Sequence, residues 1–110
     1  MLRSRTDFAR LGASGRVRGD RLLVVHVLAN GLDHDRYGIS TGRRLGGAVE
    51  RNRVRRRVRQ ILRDIDHGPA PGSDILVVAR PASAGASYGE LRSALERLMA
   101  WARTSLMAAP

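Results

Sequence analysis

The chain has 110 residues, the size of one domain, and sets twenty basic residues against ten acidic ones for a formal net charge of +10 and a pI near 11.7. It contains no cysteine, which excludes a disulfide scaffold, and its histidines (His26, His34 and His67) stand in no metal-ligand spacing. No apolar run approaches the roughly 18 residues that a membrane-spanning helix needs, and the first residues lack the apolar core of a signal peptide. A cytoplasmic protein is therefore expected.

All twenty basic residues are arginine. A GC-rich genome explains arginine in place of lysine, but it does not explain the excess of positive charge. A small domain this basic repels itself unless a polyanion is near, so nucleic acid is the expected partner. A membrane surface would need a basic amphipathic helix with bulky apolar residues opposite. The single tryptophan, Trp101, lies outside the basic segment, which argues against a membrane partner.

Thr6 and Asp7 precede Phe8, Ala9 and Leu11, with Gly12 and Gly15 after them, a pattern that predicts a short capped helix. Residues 22–29 form a valine-rich apolar run and are predicted as a buried strand. Asn30-Gly31 and the acidic residues behind it mark a turn. Residues 36–41 read as a second strand, and residues 17–20 are the candidate for a third. A basic, glycine-rich connection follows: Gly42-Arg43-Arg44-Leu45-Gly46-Gly47. From Ala48 to Ile65 there is neither proline nor glycine, and this is the strongest predicted helix. His67-Gly68-Pro69-Ala70-Pro71-Gly72 stops it. Residues 74–79 are apolar and predict a further strand. Ser87 with Glu90 three residues on makes a capping box, behind which Leu91, Leu95, Leu98, Met99, Ala102 and Leu106 recur at helical spacing. The reading is a single α+β domain over residues 1–110, ordered helix, strands, helix, strand, helix around one sheet.

The central helix carries the functional argument. On a wheel of about 100° per residue centred on Val54, the residues Val58, Ile61, Leu62 and Ile65 fall within about 80° and form a buried stripe. Asn52, Arg56, Arg59 and Arg63 cluster on the opposite face, with Arg55 on one flank and Arg53 and Arg57 on the other. Acidic partners lie only at the ends of the helix, at Glu50, Asp64 and Asp66. Most charge runs are ordinary solvated faces, but like charges at these spacings repel by a few tenths of a kcal/mol per pair. An unneutralised arginine face therefore suits a phosphate-rich partner. Gly46-Gly47 ahead of the helix permits a phosphate to approach its N-terminus, although glycines at such a place also serve simply as a turn.

The stretch Gly46-Gly47-Ala48-Val49-Glu50-Arg51-Asn52-Arg53-Val54-Arg55-Arg56-Arg57-Val58-Arg59 resembles the signature of the bacterial ribonuclease P protein family. Upstream, Arg36-Tyr37-Gly38-Ile39-Ser40 with Arg43-Arg44-Leu45-Gly46, and Asp7-Phe8 with Gly15, are similar to the same family. Downstream, Asp74-Ile75, Ala79-Arg80-Pro81-Ala82 and Ser87-Tyr88 with Glu90-Leu91 extend the match across the chain. The resemblance implies an α/β sandwich of the ribosomal-protein type, with the arginine helix in a left-handed crossover.

It also implies a protein subunit that assists a catalytic RNA in hydrolysing the 5′ leader from precursor tRNA, leaving a 5′-phosphate, with magnesium bound mainly by the RNA. No catalytic residue is then expected in the protein, which would be a monomer without RNA. Arg43, Arg44, Arg51, Asn52, Arg53, Arg55, Arg56 and Arg59 would contact ribonuclease P RNA. Phe8, Arg16 and His26 would line a cleft for the single-stranded leader, although Phe8 also suits a core role. Three residues depart from the family pattern: Gly47 replaces an asparagine, while Gly12 and His26 replace common aromatics. The alternatives are a ribosomal-type or other non-catalytic RNA-binding module, separated only by the Arg-Asn-Arg signature, and a protein-only nuclease. The last would need carboxylates converging on magnesium, and the sequence offers no such set.

Overall fold

A computed structural model of the chain describes residues 15–65 and 72–107. The predicted helix around Phe8 and most of the breaker segment after Asp64 lie outside those residues. In chain order the elements are β1 (Arg16–Gly19), β2 (Leu23–Ala29), β3 (Arg36–Thr41), a 3-10 turn (Arg43–Leu45), α1 (Ala48–Asp64), β4 (Ser73–Ala79), a second 3-10 turn (Pro81–Gly85) and α2 (Tyr88–Met107). Both long predicted strands, the last strand and both helices fall where the sequence places them, and the candidate third strand is β1.

The four strands form one sheet in the order β1-β2-β4-β3. β2 is antiparallel to β1 and β4, while β3 and β4 run parallel. Parallel neighbours need a crossover, and α1 supplies it between β3 and β4. Alternation along the strands decides which face each side chain takes. In β2, Leu23, Val25 and Val27 are buried, and in β4 Ile75, Val77 and Ala79 join them in the core. Against that face pack Val54, Val58, Ile61 and Leu62 of α1 and Leu91, Ala94, Leu95, Leu98, Met99 and Ala102 of α2. The helix wheel of the sequence is thus reproduced residue for residue on its apolar side.

The other face of the sheet has its own smaller apolar cluster of Leu28, Leu76 and Val78. This makes β4 apolar on both sides, as expected for a central strand.

Local chemistry fixes the turns. Asp20 Oδ1 accepts hydrogen bonds from the backbone N–H groups of Leu22 (2.8 Å) and Leu23 (2.9 Å), closing the β1–β2 turn. Burial alone would raise the Asp20 pKa, but these two bonds and the Arg97 guanidinium outweigh it and hold the carboxyl below its ordinary value. At α2, Glu90 N–H donates to Ser87 Oγ (3.1 Å) and Ser87 N–H to Glu90 Oε1 (2.9 Å), so the predicted capping box is formed.

The β2–β3 loop is tied to the start of β4 by buried polar chemistry that the sequence did not announce. Asp74 is fully buried. It accepts from Arg36 Nε (2.7 Å) and Nη2 (2.6 Å) and from Asn30 Nδ2 (3.0 Å). Asp35 accepts from Ser73 N–H (2.8 Å) and from the Tyr37 hydroxyl (3.2 Å). Burial, followed by the adjacent Asp35 charge, pushes the Tyr37 phenol well above its ordinary pKa.

Candidate nucleic-acid interface

The solvent side of α1 divides into a crest and two flanks. Asn52, Arg56 and Arg63 are exposed along the crest with Arg59 half-buried beside them. On one flank, Arg55 donates to Asn52 Oδ1 (2.8 Å) and to Thr41 Oγ1 at the end of β3 (2.6 Å). On the other, Arg53 Nη2 donates to the Ala84 carbonyl and Arg57 Nη1 to the Ala86 carbonyl, each at 3.1 Å. Those carbonyls belong to the Pro81–Gly85 turn and its cap, a segment stiffened by the fully buried Ser83, whose Oγ donates to the Arg80 carbonyl at 2.6 Å.

These are bonds to neutral acceptors, so they fix the guanidiniums without neutralising them. Among the described residues no carboxylate forms an ion pair with any arginine of α1. The arginines of α2 behave differently: Arg92 pairs with Glu96 (3.3 Å) and stands 3.9 Å from Asp64, and Arg97 pairs with Asp20 (3.4 Å). The uncompensated charge is therefore concentrated on this helix and on Arg43 and Arg44, both exposed on the 3-10 turn in front of it, while elsewhere Arg16 and Arg80 also bond neutral acceptors.

The N-terminus of α1 differs from a simple anion cradle. Gly47 is its N-cap and makes no side-chain capping bond, while Gly46 takes a φ of 150°, which L side chains rarely adopt. Glu50 folds back over both: a Cβ on Gly47 would lie 3.1 Å from Glu50 Oε2, and one on Gly46 3.1 Å from Glu50 Cβ. The protein's own carboxylate thus stands where an approaching phosphate was expected, favourably placed at the positive end of the helix. Arg51 departs from the crest as well. It is half-buried, and its Nε is buried without a hydrogen-bond partner.

The three residues expected along a leader cleft separate. Phe8 lies outside the described residues. His26 pairs in register with Val17 and Leu76 on the sheet face away from both helices, where Val17 is 55% exposed. Arg16 pairs with Val27 on the helix-covered side, and its Nη1 donates to the Ser105 carbonyl (2.9 Å) and Oγ (2.8 Å) near the end of α2. Arg16 and His26 therefore do not share a face. The one signal for this was strand alternation, which reverses sides at each residue and places them on opposite sides once the register is known.

The chemistry available is polyanion binding. Among the described residues no group of three or more His, Asp or Glu side chains is placed to hold a metal ion. No described helix is long and apolar enough to cross a membrane.

Comparison with known proteins agrees with the arginine face. The family model for ribonuclease P matches residues 1–103. The ribonuclease P protein component of Clostridioides difficile (strain 630) is 33% identical over 99 residues, covering 89% of this chain and 87% of that one. The corresponding protein of Lactiplantibacillus plantarum is 34% identical over the same length, with the same coverage. Among solved structures, the Staphylococcus aureus RNase P protein superposes with a TM-score of 0.84 at 29% identity, covering 93% of this chain and 94% of that chain. The Thermotoga maritima RNase P protein gives 0.79 at 33% identity, with 89% and 93% covered. By sequence along nearly its whole length and by the course of its backbone, this chain belongs to the ribonuclease P protein family.

Proposed function

We infer that the chain acts as the protein subunit of a ribonuclease P ribonucleoprotein, binding the catalytic RNA and assisting removal of the 5′ leader from precursor tRNA. The observation that carries this reading is the charge arrangement of α1, whose flanking Arg53, Arg55 and Arg57 are held in place by neutral acceptors and whose arginines have no carboxylate partners among the described residues. A face of that kind keeps its full charge for phosphates while losing little side-chain freedom on binding. Arg43, Arg44 and the crest residues Asn52, Arg56 and Arg59 are the first contacts with ribonuclease P RNA, with Arg53 and Arg55 on the flanks. Arg51 contributes from its half-buried position.

In this reading the hydrolytic chemistry and its magnesium belong to the RNA. The protein contributes binding and placement of the substrate. Phe8 and His26 serve the single-stranded leader, and Arg16 reaches it only where the leader turns past the edge strand β1. The protein works as a monomer before it meets RNA, in the cytoplasm.

The test is cleavage of a precursor tRNA by a bacterial ribonuclease P RNA at low, near-physiological magnesium, with and without the protein. Restored cleavage at the mature 5′ end by the mixture, with none by the protein alone, supports the reading. Binding to the RNA without rescue, including the RNA of the protein's own source, would reduce it to a general RNA-binding module. Phe8→Ala is expected to weaken binding of precursor tRNA with a long leader and to leave mature tRNA nearly unaffected.

A further inference from the structure

Beside the crest of α1, a groove of about 440 Å³ is lined by Arg53, Arg56, Arg57, Gln60 and Tyr88. Its residues come from two elements. The four on α1 follow the i, i+3, i+4, i+7 spacing of one helix face, and Tyr88 is the first residue of α2. Four of the five are held before anything binds. Arg53 and Arg57 hang on the Ala84 and Ala86 carbonyls. Gln60 Nε2 donates to both oxygens of Asp64 at 3.1 Å, and its Oε1 accepts no hydrogen bond from a described residue. The Tyr88 backbone is fixed by the Ser87–Glu90 capping box, and its ring packs in part against the core. Its hydroxyl makes no hydrogen bond with any described residue, and neither does the exposed Arg56 side chain.

Phosphate binding alone would need only the arginines. Here the arginines share the groove with an aromatic ring and an amide side chain. Guanidinium planes and an aromatic ring are the groups on which an unstacked base rests, and an amide oxygen accepts from a base N–H. We propose that this groove seats a single unpaired nucleotide of the RNA bound by α1, with its base against Tyr88 and its flanking phosphates on Arg53, Arg56 and Arg57. The proposal rests on the subunit reading above and adds to it a contact that is not purely electrostatic.

That difference supplies the test. Affinity for labelled bacterial ribonuclease P RNA is measured across a salt series for the unmodified protein, Tyr88→Phe, Tyr88→Leu and Arg56→Ala. Loss of a stacking contact lowers affinity without changing the number of phosphates neutralised. Tyr88→Leu is therefore expected to bind about 5- to 150-fold more weakly at every salt, on a line parallel to that of the unmodified protein. Tyr88→Phe stays within about twofold, because the ring remains. Arg56→Ala lowers the slope by about one.

Tyr88→Leu binding like the unmodified protein, or losing slope as an arginine variant does, overturns the proposal, as does Tyr88→Phe falling with Leu. A flat response of Arg56→Ala would instead overturn the subunit reading's assignment of this helix to RNA. Circular dichroism reports whether the Leu variant is folded. If it is not, photocrosslinking of the unmodified protein to 4-thiouridine-substituted RNA decides the matter: an adduct on Tyr88 is expected, and crosslinks that spare it refute the groove.

Discussion

Asp74 is the residue whose replacement tests the structural reasoning most directly. Its carboxylate is completely buried and takes a two-pronged hydrogen bond from Arg36, at 2.7 and 2.6 Å, plus one from Asn30 at 3.0 Å. Removing one member of a buried ion pair typically costs 3–5 kcal/mol, roughly, because the partner charge is left stranded. Arg36 keeps 27% of its side chain exposed, so water recovers part of that loss. The net expectation for Asp74→Ala is about 2–4 kcal/mol, a large part of the roughly 5–15 kcal/mol that holds a typical domain together. With a urea m-value of about 1.5 kcal/mol/M, the midpoint falls by about 1.3–2.7 M. Urea titration followed by circular dichroism reads this shift. A second arm separates the pair from simple loss of packing: Asp74→Leu combined with Arg36→Leu removes both charges of the pair and is expected to be more stable than Asp74→Ala alone. A midpoint change below about 0.5 M for Asp74→Ala, or a double variant as unstable as the two single changes added, would refute the account.

Three further outcomes are expected. Arg59→Ala lowers the slope of log affinity for ribonuclease P RNA against log salt by about one, read by filter binding; an unchanged slope would mean that this arginine faces only water. Gly72→Ala destabilises by about 2 kcal/mol or more in the same urea titration, because a Cβ there would press into the carbonyl oxygens of Leu32 and His34 and Asn30 Oδ1. For Asp20 the folded pKa lies below its ordinary value of 3.8, so its contribution is present above that value and is lost as pH falls through the folded pKa. Thermal melts of Asp20→Asn should thus lose less stability than the unmodified protein between about pH 4 and pH 2, while being less stable near neutrality.

Local pattern was enough to find the long elements, because β2, α1 and α2 each bury one continuous face. The valine run of β2, the alternation of β3 and the apolar positions of α1 and α2 all state their period within a few residues. What local pattern does not carry is which strand lies beside which. β4 enters between β2 and β3, far from both in sequence, and this order depends on apolar residues on both of its faces. Asp74 was read only as the first residue of a strand, since its partner Arg36 is 38 positions away. The Pro81–Gly85 turn was missed for a related reason. Its shape follows from burying Ser83, a residue with no periodic neighbours to announce it.

The arginine helix shows where the same limit falls within the candidate site. A wheel assigns angles, and the angles of Val54, Val58, Ile61 and Leu62 proved sufficient because any core accepts an apolar stripe. The angles of Arg53 and Arg57 placed them on a flank without saying what the flank would meet. Tertiary packing brings the Ala84 and Ala86 carbonyls there, and the choice of acceptor matters. Had carboxylates occupied those places, the arginines would be equally well ordered but electrically cancelled, as Arg92 and Arg97 are on α2. An arginine has five N–H donors, so one bond to a carbonyl leaves it both oriented and available. The acidic residues Asp20, Asp35, Asp74 and Glu90 are spent on turns, strand ends and a helix cap. That division of labour gives a chain with a net charge of +10 a folded scaffold and, on the α1 face, a surface still able to bind a polyanion.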